Sequence, residues 1–310
     1  MGNLETGCSG PPGAFSQPWT PTCMRFFPTP HAIIPAMQII EWPEFLAAAL
    51  PLEGKPSAIT VGVFDGVHRG HAALIERVVS QKEYAAAPRA MPVVITFIQS
   101  HHKKARSDRK YPGDIVSFRQ KMAIFESLGV SVTIVVEFSE SFRRMGGLEF
   151  LRILQERASM GFMAVGGDFR CGYQLDTDAS AIPAFNARRN IPTCIVQPLK
   201  EGGEPISSSQ IRAGICRGKL GEAAAMLGRP FTIDLAGASV SSVGSGVAYD
   251  IAGQGRILPP PGKYPVVLIG KNGDRSDGMA AEIQVAGGSI VISGDAIDGG
   301  AGWEYVEVLA

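Results

Sequence analysis

Between Ala58 and Phe231, short runs rich in Val and Ile alternate with amphipathic helical patterns, and this alternation narrows the possible folds more than any other feature. AITVGVF (58–64), MPVVITF (91–97), VTIVVEF (132–138), FMAVGG (162–167) and TCIVQPL (193–199) have the length and near-continuous apolar character of strands buried on both faces. HAALIERVVSQK (71–82), DIVSFRQKMAIFESLG (114–129) and GLEFLRILQERA (147–158) place apolar residues at helical spacing, and AIPAFNARRN (181–190) is a further helix candidate. Strand–helix alternation predicts an α/β fold, a parallel sheet with helices on both faces. Ligands of such sheets sit beyond the carboxyl ends of the strands. Gly62 to His71, the segment after Phe97, and Gly166 to Gly172 all fall there.

Past LGRPFTID (227–234) the pattern changes to Gly, Ser and Val with frequent turn signals. Runs such as GKYPVVLIGKNGD (262–274), GGSIVISGD (287–295) and WEYVEVLA (303–310) predict a small all-β barrel or sandwich of five or six strands. At the other end, residues 1–36 are rich in Gly, Pro and Thr and lack the basic start and apolar stretch of a signal peptide. MQIIEWPEFLAAAL then opens as a strand and a short helix. The expected organisation is a flexible extension or start-site artefact over 1–36, an α/β domain over 37–232 and a β domain over 233–310.

Lys plus Arg equals Asp plus Glu at 29 each, so no global field favours nucleic acid, and an anion site must be local. Cys8, Cys23, Cys171, Cys194 and Cys216 are scattered and show no CxxC spacing, which fits reduced thiols in a cytoplasm rather than a zinc ribbon or a disulfide framework. No uncharged apolar run approaches the ~20 residues of a membrane helix. The sequence specifies no oligomeric state.

TVGVFDGVHRGH (60–71) holds two of the chain's five histidines. A strand ends at Phe64, a turn containing Gly62 and Gly66 follows, and a helix starts near Gly70. Glycine allows close backbone approach and unusual dihedrals. The helix start supplies unpaired N–H groups and the positive end of the macrodipole. This combination suits a phosphate, with His68 and His71 as neutral hydrogen-bond donors. A metal site would need a third ligand, which the neighbouring sequence does not supply, and simple packing does not need the glycine turn.

With the motif in place, GVFDGVHRGH resembles the phosphate-binding signature of the HxGH nucleotidyltransferases. It is specifically similar to the FMN adenylyltransferase domain of prokaryotic bifunctional riboflavin kinase/FAD synthetases. VVITF (93–97), MAVGGDFRCG (163–172) and ISSSQIRAGICRGKLGEAAAMLGRPF (206–231) resemble that family's later motifs in order. The resemblance implies a Rossmann-like domain that transfers AMP from MgATP to FMN, giving FAD and pyrophosphate. It implies that His68, His71 and Arg212 are catalytic. Gly62, Phe64, Asp65, Gly66, Gly70, Ser207, Ser208 and Ser209 would bind ATP phosphates, and Phe97, His101, Asp168 and Arg170 would bind flavin or nucleotide. Ser207 to Ser209 also suit a helix cap, and Arg170 also suits a solvated surface charge.

Three departures shape the expectation. TFIQSHHKKAR (96–106) replaces the family's Thr-Phe-x-Pro-His-Pro, which remodels the flavin and metal end of the site. Its basic run is either a mobile loop or an electrostatic partner of the FMN phosphate. Gln210 stands where the family has a basic residue. The kinase signature Gly-x-Pro-Thr-Ala-Asn has no counterpart in 235–310, so kinase activity is expected to be lost. The remaining β domain would then brace the first domain, mediate assembly or help cover the flavin. A flavin- or nucleotide-binding protein without catalysis, and an adenylyl or cytidylyl transferase with another phosphate acceptor, are the competing readings.

Overall fold

The structure is a computed structural model. It describes residues 36–48, 50, 52, 54–81, 90–98, 111–244, 246–270, 278–293 and 302–309. Residues 1–35 and residues 99–110, which include His101, lie outside the described residues.

The amino-terminal part runs β1 (Gln38–Glu41), α1 (Trp42–Ala47), β2 (Ser57–Gly62), α2 (Arg69–Ser80), β3 (Met91–Ile98), α3 (Phe118–Ser127) and β4 (Val132–Glu137). It continues with α4 (Glu140–Arg143), α5 (Gly147–Arg157), β5 (Met160–Gly166), the short pair β6 (Arg170–Cys171) and β7 (Thr177–Asp178), α6 (Ala181–Ala187) and β8 (Thr193–Val196). A short hairpin, β9 (Lys200–Glu201) and β10 (Glu204–Pro205), leads to α7 (Ser208–Cys216) and α8 (Leu220–Leu227). Strands β1, β4, β3, β2, β5 and β8 form one sheet in that order, every pair parallel. The α/β expectation therefore holds. The chain builds outward from β2 through β3 and β4, then returns to place β5 on the other side of β2. The topological switch point is thus at β2 and β5, where a crevice opens at the carboxyl ends.

Both sheet faces are buried, which explains the unbroken apolar runs. Val61, Ile95, Ile134 and Val165 pack with Phe45, Phe150 and Leu154 on one side. Ala58, Val94 and Ala164 pack with Ile75, Phe125 and Ile211 on the other. The second cluster continues through Leu227 and Phe231 into Ile233, Val266, Leu268, Ile290 and Val306.

Those last residues belong to a second sheet, a curled antiparallel half-barrel. It is built from β11 (Thr232–Asp234), β12 (Ser239–Val243), β13 (Gly246–Asp250), β14 (Gly262–Ile269), β15 (Met279–Ala286), β16 (Ser289–Ser293) and β17 (Tyr305–Val308). The order is β11-β17-β14-β15-β16-β13-β12; β11 ends at Asp234, and among the described residues six of these strands lie within 235–310, in line with the expected five or six. Of these, β12 is exposed along its whole length and shows no inward-facing alternation, so no apolar run marks its position in the sequence.

Two helix limits also move. The helix expected over 114–129 begins at Phe118, because Asp114 bridges Arg256 and Ile115 donates to Asp65 before the chain turns helical. Ser117 then caps α3 in a reciprocal box with Gln120. The helix expected over 181–190 stops at Ala187, and the strand expected over 193–199 stops at Val196. Among the described residues, no helix is long and apolar enough to cross a membrane.

Candidate active site

The histidine turn sits at the switch point. After β2 the backbone takes left-handed conformations at Phe64 (φ 52), Gly66 (φ 79) and Val67 (φ 36). Two of these are bulky non-glycine residues, an arrangement that persists only when its surroundings over-determine it. The Phe64 ring supplies part of that constraint, edge-on to His71 at 5.2 Å and to Phe125 at 5.5 Å. Gly62 serves by close packing rather than by an unusual dihedral: a Cβ there would lie 3.0 Å from Phe64 Cζ. Gly66 does need its glycine, since its φ is positive and a Cβ would meet Ile115 at 3.1 Å. Gly70 lies in the first turn of α2, where a Cβ would sit 3.2 Å from the His68 ring.

His68 is the N-cap of α2, and its Nδ1 accepts from the His71 backbone N–H at 3.3 Å. An accepting Nδ1 leaves the proton of the neutral ring on Nε2. The two imidazoles stack with centroids 3.6 Å apart. Burial, with the nearby Arg229 charge second, lowers His68 to about 4. Burial also holds His71 well below its ordinary 6.5, reinforced by His68, Lys121 and Arg229. Both rings are therefore neutral at pH 7. The Nδ1 of His71 is buried with no hydrogen-bond partner among the described residues.

The floor of the turn is held by Arg229, a buried residue of the Leu-Gly-Arg-Pro-Phe stretch. Its guanidinium donates to Val67 O at 2.9 Å and to Gly66 O. Burial lowers it to about 10, still charged at neutral pH. By occupying these carbonyls, Arg229 fixes the direction in which the turn's amides face. In the sequence this arginine is only part of a motif, and no local pattern assigns it a role.

Asp65, buried in the same turn, forms an ion pair with the partly buried Arg212 of α7. Asp65 also accepts from the Ile115 N–H at 3.0 Å. Burial pushes Asp65 up, and Arg212 pulls it part of the way back. Arg212 lies over the Tyr111 ring at 5.0 Å and donates to Gly113 O at 3.2 Å. Of the three serines, Ser207 caps α7 by accepting from the Gln210 N–H at 3.3 Å, so the capping expectation holds for it. Ser208 donates to Asp65 O at 2.8 Å, tying α7 to the histidine turn, while Ser209 is exposed at the same helix start. Asp168 and Arg170 lie exposed in the turn after β5, with Arg170 opposite Asp178 in the short β6–β7 pair.

Phe97 stacks on Phe138 at 4.9 Å and borders a cavity of about 360 Å³ at the ends of β2 and β3. Val63, Asp65, Phe118, Lys121 and Arg256 share its wall, so the half-barrel reaches this cavity. Lys121 was read only as part of a helix pattern; its Nζ donates to Val63 O at 2.9 Å. Among the described residues no cluster of three His, Cys, Asp or Glu side chains is placed to hold a metal ion.

The family model for FAD synthetase matches residues 51–210. The chain belongs to the FAD synthetase family. A bifunctional riboflavin kinase/FMN adenylyltransferase of Escherichia coli (strain K12) is 28% identical over 224 residues, which cover 71% of this chain and 70% of that protein. Its counterpart in Haemophilus influenzae is 25% identical over 227 residues, 72% of each chain. A crystal structure from Streptococcus pneumoniae, described as a macrolide-efflux protein, superposes with a TM-score of 0.68 at 19% identity, covering 88% of this chain and 85% of that one. That similarity concerns the fold. FAD synthetases are nucleotidyltransferases, and the histidine turn lies inside the matched segment.

Proposed function

We propose that the chain transfers AMP from MgATP to FMN, releasing FAD and pyrophosphate, and has no riboflavin kinase activity. The observation that carries this reading is the neutral, stacked His68–His71 pair at the start of α2, with a buried His71 nitrogen awaiting a partner.

In this reaction an FMN phosphate oxygen bonds to the α-phosphorus of ATP. The bond from that phosphorus to the α,β-bridging oxygen breaks, and its electron pair leaves with pyrophosphate. No side-chain nucleophile is needed. The barrier is mostly alignment and charge repulsion, so donors fixed in advance supply the catalysis. His68 offers Nε2–H and His71 a neutral ring beside it, both where the macrodipole of α2 favours an anion. Arg212 is the second proposed phosphate group; in this structure it faces Asp65, with which an incoming pyrophosphate would compete. Gly62, Phe64, Asp65, Gly66, Gly70, Ser207, Ser208 and Ser209 shape or tether the cradle. Phe97, Asp168 and Arg170 are proposed for the flavin or nucleotide. Mg2+ enters with ATP, whose phosphates provide oxygen ligands.

The transferase unit is residues 37–232, with 233–310 as a supporting β unit, in a cytoplasmic setting without nucleic-acid partners. Loss of the kinase rests on the missing Gly-x-Pro-Thr-Ala-Asn signature in 235–310. The test is a panel in which purified protein meets MgATP with FMN, with riboflavin, with phosphopantetheine, and MgCTP with FMN. FAD from ATP and FMN alone is the expected result. FMN from riboflavin would overturn the missing-kinase reading. Transfer only to phosphopantetheine would overturn FMN as the acceptor, and nucleotide binding without pyrophosphate release would overturn the transferase reading.

A further inference from the structure

The half-barrel meets the site around the histidine turn at the short segment of residues 111–115. On one side this segment pairs with the second unit. The Asp114 N–H donates to Gly255 O at 2.7 Å, and the Ile257 N–H donates to Asp114 O at 3.1 Å. Gly113, with φ +124, lies so close that a Cβ would fall 2.6 Å from Arg256 C and Ile257 N. On its other side the segment is committed to the site. Gly113 O accepts from Arg212 Nε at 3.2 Å, the Tyr111 hydroxyl accepts from Arg212 Nη2 at 3.3 Å, and the Ile115 N–H donates to Asp65 at 3.0 Å.

A second tie lies directly behind the first. Arg119, in the first turn of α3, forks onto the Asp234 carboxylate at 2.5 and 2.8 Å and reaches Glu304 at 2.5 Å. Ser117 donates to the same Asp234. Arg256 spends its guanidinium on Asp234 O and on Ala236 O, the latter at 2.9 Å. Asp234 therefore joins α3 to β11, and Arg256 braces β11 against the strip that pairs with Asp114. Burial pushes the Asp234 carboxyl up, but hydrogen bonds from Arg119, Ser117 and the Ala236 N–H, with the Arg256 charge, together hold it below the usual carboxylate range. These contacts are bidentate or backbone-paired, the geometries that fix position rather than merely attract.

We propose that the half-barrel is a positioning element for adenylyl transfer. Gly255–Ile257 holds residues 111–115, and these set Arg212 and Asp65 against the histidine turn. The inference rests on the transferase reading above. Gly113, Arg256 and Asp234 act through that segment as positioning residues. Of the three roles the sequence leaves open for this unit, bracing is the one this contact selects, and what it braces is the site itself.

The test compares FAD formation by the full-length protein with that of Gly113→Ala, Arg256→Ala and Arg256→Lys. Lys263→Ala, which removes an exposed ion pair to Glu282 on the same sheet, is the control. Displacing aligned groups by an ångström is enough to cost orders of magnitude, so Gly113→Ala and Arg256→Ala should lower kcat roughly 10- to 100-fold. The KM for ATP should stay within about threefold, the signature of a lost transition-state interaction. Arg256→Lys should recover part of the rate, and Lys263→Ala should match wild type. If Gly113→Ala does not fold, the two Arg256 variants decide. Unchanged kcat in folded Arg256→Ala overturns the inference and leaves the transferase reading standing. A wild-type protein that makes no FAD overturns both.

Discussion

At the scale of single residues, the site depends on burial acting on the titration of histidine. His68 is lowered to about 4 from an ordinary value of 6.5, chiefly by burial. The unfolded chain therefore binds the proton first as pH falls, and folding stability rises with pH across this interval. The contribution is fully present above 6.5 and is lost as pH falls toward 4. His71 acts in the same direction, whereas Asp65, raised by burial, acts in the opposite one. A His68→Asn variant keeps a capping side chain and both of those neighbours, so most of its difference from wild type comes from His68. Between pH 7.5 and pH 5, wild type should lose about 2 kcal/mol more stability than His68→Asn. Urea unfolding at the two pH values measures this, and parallel losses in both proteins would contradict the buried neutral ring. Much at this scale was legible: GVFDGVHRGH reads as a glycine turn leading into a helix, and the structure places its two histidines ring on ring there. The ion pair of Asp65 with Arg212 was not, because residues so distant in sequence leave no local pattern when they pair.

At the scale of elements, what the sequence revealed follows from how each element is stabilised. Strands buried on both faces are written as Val and Ile runs, and β2 to β5 were found where those runs lie. The start of α3 was misplaced because tertiary bonds to Asp65 and Arg256 occupy residues 114–115, which helical periodicity cannot register. The true start is set by the Ser117–Gln120 capping box, and Ser117 also reaches Asp234 in the half-barrel. Ser117→Ala removes the cap and that bond together, and should cost about 1–2 kcal/mol. The denaturant midpoint should fall accordingly with its slope unchanged; an unaltered midpoint would show that α3 does not depend on this cap. No apolar run marks the short strand β12, for the converse reason: an exposed edge of Ser and Val needs no pattern.

At the scale of the whole molecule, the two sheets share one apolar cluster, running from Ile75 and Phe125 through Phe231 to Val266 and Val306. A shared core makes the two units interdependent, so the described parts should unfold in a single transition. Calorimetric and van't Hoff enthalpies should agree, and two resolved transitions would contradict the shared core. Composition changes near residue 232, but the continuity of packing across that point does not show in it, since composition reports each segment alone. This arrangement places the histidine turn, the Asp65–Arg212 pair and the half-barrel in one mechanical unit, with adenylyl transfer as its proposed output. The most direct measurement is the initial rate of FAD formation from MgATP and FMN for wild type, His68→Ala and His71→Ala, each confirmed folded. The account predicts equal amounts of FAD and pyrophosphate from wild type, and a loss of roughly 100- to 1,000-fold in each variant. Wild-type rates in both histidine variants would contradict it.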